Sequence, residues 1–240
     1  TSIIKSMKAS SPGYDVILPA LLKSSYSAFI APFTYVFDLS INTGVFPDEL
    51  KLAKVVPIFK SKDPKYVNNY RPISILPCFS KILERLMYNR MLNFINKHGL
   101  LYIYQFGFRE QHSTGSALVI LVDKLTKAIE SGDYAIGVFL DLSKAFDTVN
   151  HSILLSKLEH YGFRGIANSW LTSYLSKRKQ FVEYNNCQSS LQEITCGVPQ
   201  GSILGPLLFL MYINDLPNVS KTLFMMIFAD DTNVFLHGKN

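Results

Sequence analysis

An α+β fold, with a mixed sheet backed by helices, is predicted for this 240-residue chain, and three observations lead there. Helix-period and strand-period apolar segments alternate along the sequence, with no internal repeat and no low-complexity linker. The run Tyr134 to Leu142 is almost continuously apolar, the pattern of a strand buried on both faces. Further on, apolar Leu223 to Phe228 leads into Asp230-Asp231 and out through Thr232 to Leu236, which reads as a β-hairpin with acids at its tip.

The elements follow in order. Val16 to Ser40 is mainly helical but contains Pro19 and Pro32; an interior proline removes a backbone donor and crowds the preceding turn, so two helices are expected. Lys54 to Lys60 reads as a strand. Ser80 to His98 reads as a helix with Leu83, Leu86, Met87, Arg90, Met91, Phe94 and Ile95 near one face and Gly99 as its C-terminal cap. Ser113 caps another helix, which runs to Ser131 and stops at Gly132. The strand ending on Asp141 is followed by helices near His151 to Tyr161 and Ile166 to Leu175, then by strands around Gln180 to Asn185 and Leu191 to Cys196. Ser202 to Leu216 completes the helices ahead of the acidic hairpin.

A composition of 48% hydrophobic and 18% charged residues suits one large domain, or two tightly joined subdomains, and argues against disorder. The formal charge of +6 and pI near 9.1 fit a polyanionic partner. Cys78, Cys187 and Cys196 form neither an even disulfide framework nor a Cys-x-x-Cys metal pattern, so a reducing intracellular setting, nucleus or cytoplasm, is expected. The most apolar run, Ile203 to Ile213, is broken by Gly205 and Pro206 and falls short of the roughly 18 residues that signal a membrane span. With no signal peptide either, no membrane role is expected. The chain opens on Thr1 and stops soon after Asp231, so a monomeric fragment of a longer polyprotein is expected.

The acids carry the first chemical signal. Adjacent carboxylates at a turn repel unless a cation sits between them, and hard divalent ions take carboxylate oxygens. An Asp-Asp pair alone is an ordinary solvated turn. Asp141, at the end of a strand expected to be buried, needs a partner charge or a metal, and facing the hairpin it would complete a three-carboxylate cluster. Its distance in sequence from Asp230 excludes a local loop motif such as an EF-hand. The second signal is Gly197-Val198-Pro199-Gln200-Gly201-Ser202, a tight loop opening a helix, whose glycines permit close approach to a nucleic acid strand and whose amides suit phosphate.

FLDLSKAFD (139–147), CGVPQGSILGPLLFLMYINDLP (196–217) and FADD (228–231) occur in that order. SPGYD (11–15), KVVPIFK (54–60), NNYRPISILPCFSKILERLMYNRM (68–91) and QFGFREQHST (105–114) precede them. Together they resemble the reverse transcriptase domain of non-LTR (LINE-type, jockey-like) retrotransposons, over nearly the whole chain. The resemblance implies a right-hand polymerase, with fingers over residues 1–132, palm over 133–240, a finger-like insertion near 153–179, and the chain ending before any thumb.

The same resemblance implies an RNA-directed DNA polymerase using two Mg²⁺ ions, with Mn²⁺ as a substitute, to add dNTPs to a DNA primer on an RNA template. Asp141 and Asp230 match the family's metal ligands and Asp231 its neighbouring acid. Phe146 matches the aromatic beneath the incoming sugar, where a flat ring excludes a 2′ hydroxyl. Lys60 and Arg71 match basic finger positions suited to β- and γ-phosphates, Arg71 held extended by Pro72. Gln200 and Gly201 match template- and nucleotide-positioning residues. Arg109 and the cluster Lys177-Arg178-Lys179 are candidates to follow a phosphate backbone. Asp147 and His151, four apart, are read as a structural pair.

Departures from the pattern are few. Tyr14 and Val16 stand where Pro and Gly are usual, and Asn186 where a turn glycine is common. Three other readings compete: a catalytically silent relic or nucleic-acid-binding module that keeps the fold, a two-metal nuclease or phosphatase, and a dinucleotide-binding dehydrogenase. The nuclease lacks its histidine-rich or extra acid ligand spacing, and the dehydrogenase lacks Gly-x-Gly-x-x-Gly after a strand.

Overall fold

The computed structural model describes residues 2–239. A short helix α1 (Ser2–Ser6) and a long helix α2 (Pro19–Thr43) lead to strands β1 (Leu52–Phe59) and β2 (Tyr70–Ile75) and helices α3 (Cys78–Lys97) and α4 (Thr114–Glu130). Strand β3 (Tyr134–Asp141), helices α5 (His151–His160) and α6 (Ile166–Leu175), and strands β4 (Arg178–Tyr184), β5 (Cys187–Gln188) and β6 (Gln192–Ile194) follow. Helix α7 (Gly205–Ile213) and the hairpin β7 (Phe224–Phe228) and β8 (Asp231–Gly238) complete the order.

Two sheets result. The first is mixed: β2, β1, β4 and β5 run side by side, β6 also pairs β4, and only the β1–β4 pair is parallel. Strands from both sides of position 132 therefore share one sheet. The second is antiparallel, in the order β3-β8-β7. The main core is built of α3, α5, α6 and α7 side chains, around Trp170 and Tyr174, which stack at 5.7 Å with Phe46 edge-on to both.

Local signals explain most boundaries. Ser113 forms a reciprocal capping box with Ser116 at the start of α4. Gly99 and Gly132 take left-handed φ values of 58° and 74°, and the amides after them close back on α3 and α4, Leu100 to Ile95 at 3.1 Å and Asp133 to Ala128 at 2.9 Å.

Three expectations are corrected. Val16 to Ser40 holds one helix rather than two: Pro19 sits in its first turn, where no N–H is needed, and Pro32 lies inside. An interior proline costs about 3 kcal/mol, but Phe29, Phe33 and Phe37 pack in series past it at 5.6 and 6.1 Å, and Phe33 lies 4.3 Å from Phe79. Strand β3 is not buried; it lies at one edge of its sheet and all eight of its residues are exposed. An apolar run identifies a strand without saying what covers it. Strand β2 was not anticipated, since Pro72 interrupts it, and it too lies at an edge, where a proline is tolerated.

Candidate active site

Strand β3 carries Asp141 to the end of the antiparallel sheet, directly across from Asp231 at the start of β8. Asp230 occupies the turn, after Ala229 with φ 58°. A positive φ at the first turn residue is the mark of a II′ hairpin, usually served by glycine. Like charges directly opposite in a sheet are unfavourable. No ion pair among the described residues engages Asp141, Asp230 or Asp231. An uncompensated acidic pair of hard oxygen donors fits a divalent cation.

A cleft of about 1120 Å³ collects Asp141 and Asp230 with Lys60, Arg71, Phe146 and Gln200. Lys60 follows β1, its amide bonded to the Asn69 carbonyl at 2.8 Å, and Arg71 stands opposite Ile58 in β2; both side chains are exposed. Phe146 is half-buried, stacked on Phe209 at 4.4 Å and edge-on to Phe108 at 5.9 Å. Asp231 does not line the cleft, and no group of three or more His, Cys, Asp or Glu side chains among the described residues is close enough to hold a metal. The expected three-carboxylate cluster is therefore not assembled as such: Asp141 and Asp230 line the cleft, while Asp231, across from Asp141 in the sheet, lies outside that lining.

The loop 197–202 is tied down on two sides. On one, the amides of Gly197 and Val198 bond the carbonyls of Val149 and Phe146 at 2.7 and 2.8 Å, and His151 Nε2 bonds the Gly197 carbonyl at 2.7 Å. Asp147 accepts from Gln200 rather than pairing with His151. On the other side, the Ser74 amide donates to the Gln200 carbonyl at 2.7 Å, and Gly201, φ 120°, lies so close that a Cβ there would stand 2.5 Å from the Ser74 oxygen.

The loop's helix-start amides are not free for phosphate. Glu84 Oε2 accepts from Ile203 and Leu204 at 2.6 and 3.4 Å, and Ser202 Oγ accepts from Gly205 at 2.9 Å. Glu84 is fully buried; burial pushes its carboxyl above the usual range, opposed by Arg178 and by the two amides. Sequence reading missed this residue. The signal was there, since Glu84 falls with Ser80, Met87 and Met91 on the buried stripe of α3.

Two candidate phosphate contacts are corrected. Arg178 is buried, its Nη1 donating to the Tyr174 carbonyl at 3.2 Å and its guanidinium 4.8 Å from that ring, so it belongs to the interior beside Glu84. Arg109 turns inward, Nη1 donating to the carbonyls of Tyr102 and Gln105, both at 3.0 Å. Lys177 and Lys179 remain exposed, outside the cleft lining.

The profile of the reverse transcriptase (RNA-dependent DNA polymerase) family matches residues 60–240. The chain belongs to the reverse transcriptase family. Over 97% of its length it is 35% identical to a probable RNA-directed DNA polymerase from transposon X-element of Drosophila melanogaster, covering 26% of that protein. Over 95% it is 34% identical to the RNA-directed DNA polymerase from mobile element jockey of the same species, again covering 26%. This reverse transcriptase chain thus spans about a quarter of the length of these relatives. Among solved structures, apo telomerase from Candida tropicalis superposes with a TM-score of 0.56 at 12% identity, over 85% of this chain and 49% of that one, a likeness of fold.

Proposed function

We propose that this chain is the nucleotidyl-transfer core of an RNA-directed DNA polymerase, adding dNTPs to the 3′ hydroxyl of a DNA primer on an RNA template. The observation that carries the reading is the single cleft lined both by Lys60 and Arg71, at the edge of the mixed sheet, and by Asp141 and Asp230, at the end of the antiparallel sheet.

In-line displacement at a phosphate leaves the protein mainly positioning and charge stabilisation to do. Asp141 and Asp230, with Asp231 alongside, would hold two Mg²⁺ ions, or Mn²⁺ in their place; such ions stabilise attacking and leaving oxygens. Lys60 and Arg71 neutralise the β- and γ-phosphates. Phe146, braced on Phe209, presents a flat ring beneath the sugar. Gln200 and Gly201, anchored to Asp147 and against Ser74, position template and nucleotide. Lys177 and Lys179 reach the nucleic acid backbone from the surface. In this reading residues 1–132 are fingers and 133–240 palm, with the insertion near 153–179, acting as a monomeric part of a longer polyprotein inside the cell, in nucleus or cytoplasm. No described helix is long and apolar enough to cross a membrane.

The test is primer extension by the complete reading frame that contains this chain. Asp141→Asn or Asp230→Asn should abolish incorporation and Asp231→Asn should weaken it by as much or less; near parental extension by Asp141→Asn would overturn the assignment. The competing reading, a silent module that keeps the fold, draws on the absence of a three-acid cluster among the described residues. It expects the parent protein to bind primer–template without extending it.

A further inference from the structure

The segment QFGFR (105–109) has an internal role for Arg109 but leaves Gln105 and Gly107 without one. Both meet the acidic turn. Tyr104 to Phe106 runs parallel to β7: the Ile227 amide donates to the Tyr104 carbonyl at 3.0 Å and the Phe106 amide to the Ile227 carbonyl at 2.8 Å. Beyond this pairing the Gln105 side chain, 3% exposed, turns toward the tip, where its Oε1 accepts from the Gly107 amide at 2.9 Å and the Ala229 amide at 3.1 Å. Both partners are N–H donors, so the carboxamide oxygen and not its nitrogen must face them. Gly107 permits the approach, because a Cβ there would stand 2.2 Å from the Ala229 nitrogen.

Ala229 needs this support. It is buried, immediately precedes Asp230, and holds a left-handed backbone that an L residue with a Cβ disfavours. Its amide has no other chance of water, and a buried N–H without an acceptor is strongly unfavourable. We propose that Gln105 is a positioning residue for the metal-holding turn: its carboxamide oxygen, buried under the hairpin and reaching the Ala229 amide past Gly107, fixes the orientation of Asp230 toward the cleft. Gln105 itself does not line the cleft, so it acts only through the turn. This inference rests on the reading of Asp230 as a metal ligand.

The experiment uses the complete reading frame and compares the parent with Gln105→Leu, which removes the acceptor, and Gln105→Glu, which keeps one. Mn²⁺ binding is titrated by electron paramagnetic resonance with Asp230→Asn as reference, and dTMP incorporation on poly(rA)·oligo(dT) is followed against Mg²⁺ and dTTP. Gln105→Leu should bind Mn²⁺ several-fold more weakly and need correspondingly more Mg²⁺ for half-maximal rate. Its kcat should fall by up to roughly 10²-fold, the size expected of a misplacement near 1 Å, with the KM for dTTP unchanged. Gln105→Glu should recover most of this, and adding Ala229→Gly to Gln105→Leu should restore part, since glycine adopts the turn conformation unaided. If Gln105→Leu does not fold, Gln105→Asn, whose oxygen is drawn back by one methylene, makes the same comparison with Gln105→Glu. Unchanged Mn²⁺ affinity and Mg²⁺ dependence in a folded Gln105→Leu or Gln105→Asn protein would overturn the proposal. A parent protein that incorporates nothing would overturn the polymerase reading instead, while the Mn²⁺ titration still decides for or against Gln105.

Discussion

Gln200 donates from Nε2 to Asp147 Oδ1 at 2.7 Å, joining the loop that opens α7 to the segment that follows Asp141. The Ser74 amide holds the main chain of the same residue from the opposite side. Gln200 is thus clamped between the two sheets' connections, and a displacement of either is felt in the cleft.

Gly201→Ala tests that clamp. The added methyl would stand 2.5 Å from the Ser74 oxygen at a φ of 120°, so the loop must move off β2. Single-nucleotide incorporation should fall by about 10²-fold in kcat/KM, with circular dichroism showing the fold retained. Parental kcat/KM in Gly201→Ala would show that the contact with β2 does not position the loop.

If Phe146 lies beneath the incoming sugar, as proposed, Phe146→Val should raise the ratio of ribonucleotide to deoxynucleotide incorporation, because the smaller side chain would no longer meet a 2′ hydroxyl. Total rate should fall modestly, since the ring's stacking on Phe209 at 4.4 Å is lost. Matched ribo- and deoxynucleotides in single-turnover extension measure the ratio. No change in it would return Phe146 to a packing role alone.

Glu84 links stability to pH. Burial holds its folded carboxyl above the ordinary value, with Arg178 opposing. An acid that binds its proton more tightly when folded contributes stability fully present below the unfolded pKa of about 4.3 and lost as pH rises through the folded value. Glu84→Gln has no proton to lose and keeps an oxygen for the Ile203 and Leu204 amides. Its Tm relative to the parent should therefore shift in the variant's favour as pH is raised from about 4 to about 8, and a pH-independent difference would contradict the assignment.

Val16 stands at φ 60°, a conformation especially poor for a β-branched side chain. Relief of about 1–2 kcal/mol is partly offset by roughly 0.5–1 kcal/mol of glycine entropy. Val16→Gly should thus raise Tm slightly, by about 1–3 °C. A lower Tm by calorimetry would show that the Val16 side chain contributes more than its backbone conformation takes away.

The chemistry was more legible in the sequence than its supports. Asp141, Phe146, Gln200 and Asp230 lie in short ordered motifs, and the cleft brings them together with Lys60 and Arg71. Glu84 was hidden because a glutamate on a helix is ordinary and the amides it caps lie 119 and 120 residues away. Arg178 was misread as one of three cations following a phosphate backbone, although strand alternation turns Lys179 outward and Arg178 in. Val16 and Asn186, read in the sequence as departures from the resemblance, both have left-handed φ values, 60° and 61°. At Val16 a β-branched side chain resists that backbone, whereas asparagine at 186 tolerates it.

Strand β3 has a consequence for handling the protein. Among the described residues its outer amides and carbonyls face no partner strand, and Ile136, Val138 and Leu140 lie exposed beside them, whereas the far side of the sheet is closed off by Tyr104 to Phe106. An open, apolar strand edge is a template for another strand. The strand that delivers Asp141 to the cleft therefore also carries an open apolar edge, and Val138→Lys, which places a charge on it, should keep concentrated samples in solution better than the parent.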